Sequence, residues 1–368
     1  MTILRKIKVD KPFLAIVIIL LAVGFLIFSS ASLGLLAKQS SNYGDIAFSQ
    51  MVLGLLLGIA AMIATARIDY KVWRSSALYI FLAAVVLNTL VLMPSIGIEH
   101  AGARRWLMVG GLSLQPSELL KLAFVLYFAA WLSGVKEKAK RFSWGLLPLL
   151  VLLAICGGLL LAEPDTDTFL IIAVTGLAMY VIAGGKWRWV LILGLIGLIG
   201  LIGLAMTRPY VMQRIQTFVN PAADSYGAGY QIQQSLIAIG SGGLFGRGFG
   251  QSIQKFTYLP EPVGDSIFAV AAEEFGFVGG VLLIAVFLLF AVRGLKIASR
   301  APSYFARLTA AGLVIMIITQ AFVNIGAMLG VLPLSGITLP FVSHGGTSLF
   351  ITLFEVGIIL SISKSHKS

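Results

Sequence analysis

The sequence predicts an all-α polytopic membrane protein with about ten transmembrane helices and a long external loop between the seventh and the eighth. Of its 368 residues, 58% are hydrophobic and only 11% are charged, and the mean hydropathy is +0.97. Soluble globular chains carry more charge and fewer apolar residues. The apolar residues also collect into runs close to the ~20 residues that a helix needs to cross a bilayer.

Ten such runs divide the chain, and no stretch between them is large enough for a separate folded domain, so residues 1–368 are interpreted as one membrane domain. The longest connection, about 207–265, exceeds what a simple link needs, which favours a functional role. Within it, Tyr230 to Gly240 predicts a short amphipathic helix that ends at glycine. The predicted spans lie near residues 12–36, 46–66, 76–95, 117–134, 145–162, 168–184, 188–206, 266–292, 308–331 and 346–363.

The basic residues follow the predicted topology. Most of the 27 lysines and arginines occupy alternate connections and the two ends of the chain. By the positive-inside rule these segments face the cytoplasm, which places both termini there. The net charge of +12 is thereby explained without a nucleic-acid partner. The single cysteine, Cys156, excludes disulfides within the chain, and three scattered histidines argue against a metal cluster.

Ionisable side chains near membrane spans are costly and therefore mark candidate sites. Four clusters are predicted at the outer ends of the spans. In the first, Arg105 precedes Gln115, Glu118 and Lys121. Glu118 and Lys121 share a helix face, so they predict either a structural ion pair or part of a site. Ser117 is a candidate cap for the same helix.

The second cluster is the acidic turn Glu163-Pro164-Asp165-Thr166-Asp167. Asp or Thr could cap the sixth span as part of a solvated turn. Three acids in five residues could instead hold a divalent cation through oxygen ligands. The sequence leaves both interpretations open.

The third cluster is YLPEPVGDSIFAVAAEEFG, residues 258–276. Asp265 stands where a helix cap belongs, and a plain cap is one interpretation. A carboxylate in a half-dry site also has its pKa raised toward what a general base needs. Glu273 and Glu274 lie about 12–14 Å further along the helix, so we expect them to make buried polar contacts rather than to share a site with Asp265. Glu261 would shape the rim.

The fourth cluster, residues 340–348 with Ser343 and His344, interrupts the chain before the last span. Irregular backbone at this depth survives only against protein or a wet cavity. Its amides could cradle an anion, or the segment could be a packing turn.

Two glycine-rich segments carry no fingerprint of a nucleotide site. GSGGLFGRGFG, residues 240–250, follows no strand and lacks the ending of a phosphate loop, which favours flexible turns. Gly194, Gly197, Gly200 and Gly203 recur at every third residue of the seventh span and predict close helix packing.

Long motifs resemble a known family. They are GARRWL with LQPSELLK, the EPD turn, YQIQQSLIAIGSGGLFGRGFGQSIQKFTYLPEPVGDSIFAVAAEEFGFVGG and LPLSGITLPFVSHGGTSL, in this order over ten spans. In these the chain resembles the SEDS (shape, elongation, division and sporulation) proteins FtsW, RodA and SpoVE along nearly its whole length. QSIQKFTYLPE is more similar to the FtsW and SpoVE branch than to RodA.

The resemblance implies a peptidoglycan glycosyltransferase that polymerises lipid II at the outer face of the cytoplasmic membrane during cell division. The family's essential loop aspartate corresponds to Asp265, which would take the proton of the attacking sugar hydroxyl. To the family's other polar positions we add Glu261 and Ser343 from the third and fourth clusters. The candidate substrate-binding residues are then Arg105, Gln115, Glu118, Lys121, Asp165, Glu261 and Ser343.

Three positions depart from the family pattern. Thr166-Asp167 stands where a small or glycine-containing continuation follows EPD, Ser266 where phenylalanine is common, and His344 where tyrosine is common. Detailed roles for Asp167 and His344 are therefore not carried over, whereas Asp265 is unaffected.

The sequence establishes no cofactor. The departing polyprenyl pyrophosphate needs positive charge, from Arg105, from Lys121 or from a divalent cation such as Mg²⁺ or Mn²⁺. The resemblance implies a class B penicillin-binding protein transpeptidase as partner, with the lipid tails held in the bilayer. Two alternatives stay open: a transporter that flips lipid-linked precursors, and a non-catalytic division scaffold.

Overall fold

The computed structural model describes residues 9–37, 43–100, 103–109, 112–221 and 227–364. Within these ranges, nine helical segments are long and apolar enough to cross a membrane. A tenth apolar helix, Thr166–Ile182, is shorter at 17 residues. The predicted all-α polytopic class is confirmed.

The helices follow the predicted apolar runs, with short additional helices in the connections. A π-helical stretch, Ser49–Leu57, precedes the helix Gly58–Arg67, and a second, Phe142–Leu146, precedes the helix Leu147–Ala162. The helices are α1 (Lys11–Ala37), α2 (Tyr43–Phe48), α3 (Gly58–Arg67), α4 (Tyr70–Val91), α5 (Pro116–Val135), α6 (Leu147–Ala162), α7 (Thr166–Ile182), α8 (Trp187–Thr207), α9 (Pro209–Val219), α10 (Ala228–Ser241), α11 (Gln254–Thr257), α12 (Ile267–Ser299), α13 (Tyr304–Met328) and α14 (Gly346–Lys364).

Three helices form the centre of the bundle, where other helices surround them and bury most of their residues. The buried share of their most apolar stretch is 67% for α5, 72% for α13 and 89% for α14. By contrast, α8 is only 6% buried. The bundle therefore has a packed interior that includes the first turns of α5 and α14.

The glycine row of α8 does not mediate close packing, so that prediction is wrong. Within the described residues, nothing outside the helix's own turns lies within 4 Å of where a β-carbon would stand on Gly194, Gly197, Gly200 or Gly203. The row lies on a peripheral helix, where no neighbouring helix approaches it.

A small antiparallel sheet, which the sequence did not predict, lies in the connection before α5. Its strands are β1 (Gly97–His100), β2 (Ala103–Val109) and β3 (Leu112–Leu114), paired in the order β1-β2-β3. The Thr347 hydroxyl donates to the Ser113 carbonyl at 3.0 Å, which attaches β3 to the start of α14. The sheet carries Arg105 on its central strand.

The long connection before α12 contains α9, α10 and α11. The amphipathic helix predicted at Tyr230 to Gly240 is confirmed as α10. The turns predicted for residues 240–250 are confirmed, and the segment that they form packs against α12 at a break in the helix. At the break, Gly276 has φ 70° and ψ −168°, a conformation that favours glycine.

Candidate active site

Asp265 lies in the turn that leads into α12, but it does not cap the helix. The cap position belongs to Ser266. The Asp265 carboxylate instead faces α10, where Gln231 Nε2 donates to its Oδ1 at 3.0 Å and also to the Ser266 hydroxyl at 3.0 Å. The plain-cap interpretation is therefore wrong, and the half-buried carboxylate is held across two elements.

The backbone around Asp265 is fixed at three consecutive carbonyls, those of residues 263–265. His344 N–H donates to the first at 2.7 Å, the Ser343 hydroxyl to the second at 2.7 Å, and Asn324 Nδ2 to the third at 2.8 Å. Because each carbonyl has its own donor, from α13 or from the loop before α14, the turn has little freedom to move.

The loop of the fourth cluster packs as a turn, and the amides of residues 343–345 are not available to cradle an anion, because each already donates a hydrogen bond. His344 N–H is used as described above, Ser343 N–H donates to the Leu339 carbonyl at 2.9 Å, and Gly345 N–H donates to Gln50 Oε1 at 3.0 Å. Ser343 is 4% exposed, and its hydroxyl also accepts from Leu339 N–H. Its geometry supports the turn, and its contact with substrate stays a prediction.

The surroundings of Asp265 raise its pKa to about 7, chiefly because burial penalises the charged carboxylate. The nearby carboxylate of Glu261 raises the pKa further, whereas the hydrogen bond from Gln231 lowers it. Glu261 itself is exposed, at a turn residue with φ 45°. A carboxylate with a pKa near 7 can both accept and release a proton at neutral pH, which suits general-base chemistry.

Glu118 and Lys121 form the predicted ion pair inside the bundle, with Lys121 Nζ 2.9 Å from Glu118 Oε1. The Lys121 side chain is 2% exposed and also donates to Gln320 Oε1 on α13 at 2.6 Å. Gln115 is half-buried just before Pro116, the first residue of α5. The Ser117 cap is wrong, since the cap position belongs to Gln115.

A short segment without regular secondary structure, Gly336 to Thr338, connects three of the predicted clusters. Gly336 N–H donates to Asp167 Oδ2 at 3.3 Å, in the acidic turn. The next carbonyl, of Ile337, accepts from Asn324 at 2.7 Å, and the Thr338 carbonyl accepts from Gln320 Nε2 at 3.1 Å.

Asn324 is the residue that holds Asp265, and Gln320 is the residue that holds Lys121. Since three consecutive α-carbons span no more than about 7.6 Å, the acidic turn, the aspartate turn and the buried ion pair all converge on one short stretch of chain.

Arg105 joins the sheet to the acidic turn. Its Nε donates to the Glu163 carbonyl at 3.1 Å, and a second guanidinium nitrogen donates to the Pro164 carbonyl. Asp165 caps α7, where its Oδ1 accepts from Thr168 N–H at 3.2 Å, so the predicted cap is confirmed.

The three acids of this turn do not converge on one point. Asp167 forms an ion pair with Arg214 of α9, with 2.7 Å between Oδ2 and the guanidinium. Asp165 instead caps α7. Glu163 is 1% exposed, and neither of its carboxylate oxygens has a hydrogen-bond partner among the described residues. Burial and the neighbouring Asp165 raise the pKa of Glu163 to about 8. No group of three or more acidic, histidine or cysteine side chains in the described ranges could hold a metal ion.

Three amide side chains of the site were not selected from the sequence: Gln231, Gln320 and Asn324. A usable signal exists for two of them, because Gln320 and Asn324 stand four residues apart in an otherwise apolar span and so share one face. Gln231 occurs in the quoted motif YQIQQS, where one of several glutamines could not be singled out.

The chain is similar to known proteins along nearly its whole length. Residues 11–368 match the family model FtsW/RodA/SpoVE, described as cell cycle protein. Stage V sporulation protein E of Bacillus subtilis is 38% identical over 360 residues, covering 98% of each chain. The probable peptidoglycan glycosyltransferase FtsW of Geobacter metallireducens is 39% identical over 360 residues, covering 98% of this chain and 96% of the relative.

Solved structures share the fold. A chain from a peptidoglycan synthase complex, in work on the coordination of polymerization and crosslinking, has a TM-score of 0.75 at 30% identity, covering 92% of this chain and 96% of that one. The rod shape determining protein RodA of Thermus thermophilus has a TM-score of 0.72 at 28% identity, covering 98% of both. The chain is a multi-pass membrane protein that belongs to the FtsW/RodA/SpoVE family, the SEDS proteins.

Proposed function

We propose that this protein is a peptidoglycan glycosyltransferase that polymerises lipid II at the outer face of the cytoplasmic membrane, with Asp265 as its general base. The observation that carries the proposal is the half-buried Asp265 carboxylate with a pKa of about 7. Its backbone is fixed at three carbonyls and its side chain by Gln231. The names of the FtsW relatives support the same activity.

The reaction joins two lipid-linked sugars. The acceptor's hydroxyl oxygen attacks the anomeric carbon of the donor, the bond from that carbon to the pyrophosphate oxygen breaks, and the hydroxyl proton passes to Asp265. A base with a pKa near the working pH is half ionised and ready to accept that proton. Positioning by the rigid turn would hold the carboxylate at the attacking oxygen, which lowers the entropic part of the barrier.

The polyprenyl pyrophosphate leaves with negative charge that the site has to stabilise. Arg105 is the better candidate for this role, because it is half-buried at the acidic turn and carries a permanent charge. Lys121 is 2% exposed and already pairs with Glu118, so its ammonium is largely compensated inside the protein.

A divalent cation could share this task, as the sequence left open. Among the described residues, the carboxylate oxygens of Glu163 and Oδ2 of Asp165 have no hydrogen-bond partner. They are hard oxygen donors of the kind that Mg²⁺ and Mn²⁺ prefer. Such ions are commonly held by one or two carboxylates together with substrate phosphates. Glu163 and Asp165 fit that donor set, and a cation bound there would supply charge next to Arg105.

The topology and the partner belong to the same proposal. The basic connections put both termini in the cytoplasm by the positive-inside rule, which leaves the Asp265 turn on the outer side. The description of the matching family, cell cycle protein, supports a role in cell division. The structural neighbour from a synthase complex that both polymerises and crosslinks supports a class B penicillin-binding protein transpeptidase as partner.

Two assays on the purified protein test the proposal. In detergent with purified lipid II, the wild-type protein is expected to make glycan polymer, and a folded Asp265→Asn variant is expected to make none. In vesicles containing labelled lipid II, the proposal predicts no transfer between leaflets. Transfer without any polymer would overturn the proposal in favour of a transporter, and neither polymer nor transfer would favour a scaffold.

A further inference from the structure

The break in α12 is closed by the glycine segment that precedes it. Ile267 to Phe275 form a short helical piece, and the spanning piece begins after Gly276. Arg247 and Gly248 N–H groups donate to the two carbonyls that the break leaves free, those of residues 273–274, each at 3.0 Å. In return, Phe277 and Val278 N–H groups donate to the carbonyls of residues 243–244 at 2.8 and 3.1 Å. These four bonds replace helix bonds that Gly276 interrupts.

Glycine is required for this approach. A β-carbon on Gly246 would stand 2.1 Å from the Glu274 carbonyl oxygen, closer than real atoms come. Gly246 also has φ 81°, where glycine carries no steric penalty. The segment is therefore built to lie against the end of the short helical piece.

The side chain of Glu273 binds residues 252–254, which follow the glycine segment. It is fully buried, and it accepts from the Ser252 hydroxyl at 2.5 Å, from Ile253 N–H at 2.9 Å and from Gln254 N–H at 3.3 Å. Arg247 Nε lies 3.4 Å from the same carboxylate. Glu273 thus fixes the start of α11.

Glu274 binds α11 through a buried ion pair. Lys255 Nζ, on α11, lies 2.6 Å from Glu274 Oε1, and both side chains are at most 1% exposed. The Ser30 hydroxyl of α1 donates to the same oxygen at 2.6 Å and accepts from Lys255 Nζ at 2.8 Å. Three elements, α1, α11 and α12, therefore meet at one compensated pair of charges.

These contacts close a loop whose far end carries Asp265. The chain leaves the pair at Lys255, runs through the turn that contains Asp265, and returns to the pair at Glu274. The helical piece Ile267 to Phe275 joins the Asp265 turn to Glu274, so a shift of this base would move the turn relative to α10 and α13. A displacement of about 1 Å in an active site can cost about a hundredfold in rate.

We propose that Lys255 and Glu274, with Ser30, form a positioning pair that sets the place of the Asp265 carboxylate against its reacting partner. This inference rests on the proposed function of Asp265. A buried ion pair is weak evidence for stability alone, because an apolar pair of similar volume often serves equally well. Because this pair lies at the base of the loop that carries Asp265, it also sets the position of the Asp265 carboxylate. A purely structural pair would affect only the free energy of unfolding.

The test uses the full-length protein in detergent and three changes: Lys255→Met, the double change Lys255→Met with Glu274→Met, and Ser30→Ala. Lys255→Met leaves a buried carboxylate without its cation, so kcat is expected to fall about tenfold or more while KM for lipid II stays within about twofold. The double variant is expected to lose no more than the single, because the two residues act as a unit. Ser30→Ala keeps both charges and should give a smaller loss of about two- to fivefold, so it serves if Lys255→Met does not fold.

The matched control is Lys140→Met. Lys140 pairs with Glu137 at 2.5 Å, but the two side chains are 55% and 86% exposed, far from the aspartate loop in sequence. Exposed pairs of this kind contribute little, and wild-type kcat is expected.

A readout that does not depend on activity is the titration of Asp265 by NMR of protein labelled with ¹³C at the aspartate carboxyls, with Asp265→Asn identifying the signal. As the turn loosens and water enters, the pKa of Asp265 is expected to fall by about 1 in Lys255→Met or Ser30→Ala. If folded variants with a lowered melting temperature keep the wild-type kcat and the wild-type Asp265 titration, the pair is only structural and the inference is overturned. If the wild-type protein makes no polymer, the proposed function fails, while the NMR titration still decides the positioning.

Discussion

The hydrogen bond from Gln231 makes a quantitative prediction about the pH dependence of polymerisation. Gln231 Nε2 donates to Asp265 Oδ1 at 3.0 Å and favours the charged carboxylate, so it lowers the pKa that burial raises. Replacing Gln231 by Leu removes that donor at similar volume. A hydrogen bond to a charged group contributes about 1.5–3 kcal/mol, and 1.36 kcal/mol corresponds to one pKa unit. Because Asp265 is half-buried and water replaces part of the bond, the lower end applies, which is a rise of about 1.

The direction in which the pH–rate profile moves follows from the proposed role of Asp265 as the base. As the proposed general base, Asp265 would act when ionised, so activity is expected to fall as the pH falls through its pKa, about 7 in the wild-type protein. In Gln231→Leu the acid limb of kcat/KM should move up to about pH 8. At pH 7 this lowers kcat/KM about fivefold, and above pH 9 the wild-type value returns.

The assay is initial-rate polymerisation of purified lipid II in detergent between pH 5.5 and 9.5. Gln233→Leu is the matched control, since this neighbouring amide on α10 donates to the Pro221 carbonyl at 2.8 Å rather than to Asp265. An acid limb that stays in place or moves down in Gln231→Leu would refute the reasoning, as would an equal shift in Gln233→Leu.

Two further predictions concern stability and follow from buried charge. Without a divalent cation, the pKa of Glu163 is raised to about 8, so between pH 4.5 and 8 the unfolded chain ionises while the folded protein keeps the proton. The free energy of unfolding therefore falls as the pH rises through this range. Glu163→Gln should therefore raise the free energy of unfolding by up to about 4 kcal/mol at pH 8 and by almost nothing at pH 4. A gain in melting temperature of equal size at both pH values would contradict this. Lys121→Met leaves the buried Glu118 carboxylate without its cation and should lower the free energy of unfolding by about 3–5 kcal/mol. Adding Glu118→Met removes that unpaired charge and should recover most of the loss. Thermal unfolding in detergent measures both, and a double variant as unstable as Lys121→Met would show that the stranded charge is not the cause.

The sequence predicts the bundle well, because a bilayer imposes one strong requirement, about 20 apolar residues in a row. It also places the polar clusters, since charges near apolar runs are few. Glu118 with Lys121 shows the limit of this information: their spacing predicts the pair, but only the packing of α13 supplies Gln320 as the third partner.

The features that the sequence misses depend on contacts far apart in the chain. Gly246 looks like part of a flexible stretch, because nothing local shows that it meets Glu274 at a break in α12. Asp265 looks like a helix cap for the same reason, since a cap motif is local and Gln231, 34 residues away, competes for the carboxylate. The strands before α5 pair within a short connection that contains Arg105, a candidate substrate-binding residue, and their pattern is too brief to predict.

The most direct test of the central claim is the pH–rate profile of lipid II polymerisation by the wild-type protein and by Asp265→Asn. If Asp265 is the general base, wild-type kcat/KM falls about tenfold per pH unit below about pH 7, following the pKa of the carboxylate. Any residual activity of Asp265→Asn should be at least about a hundredfold lower at pH 8 and show no acid limb near pH 7. An Asp265→Asn variant that keeps the wild-type rate, or that keeps the same acid limb, would contradict the assignment.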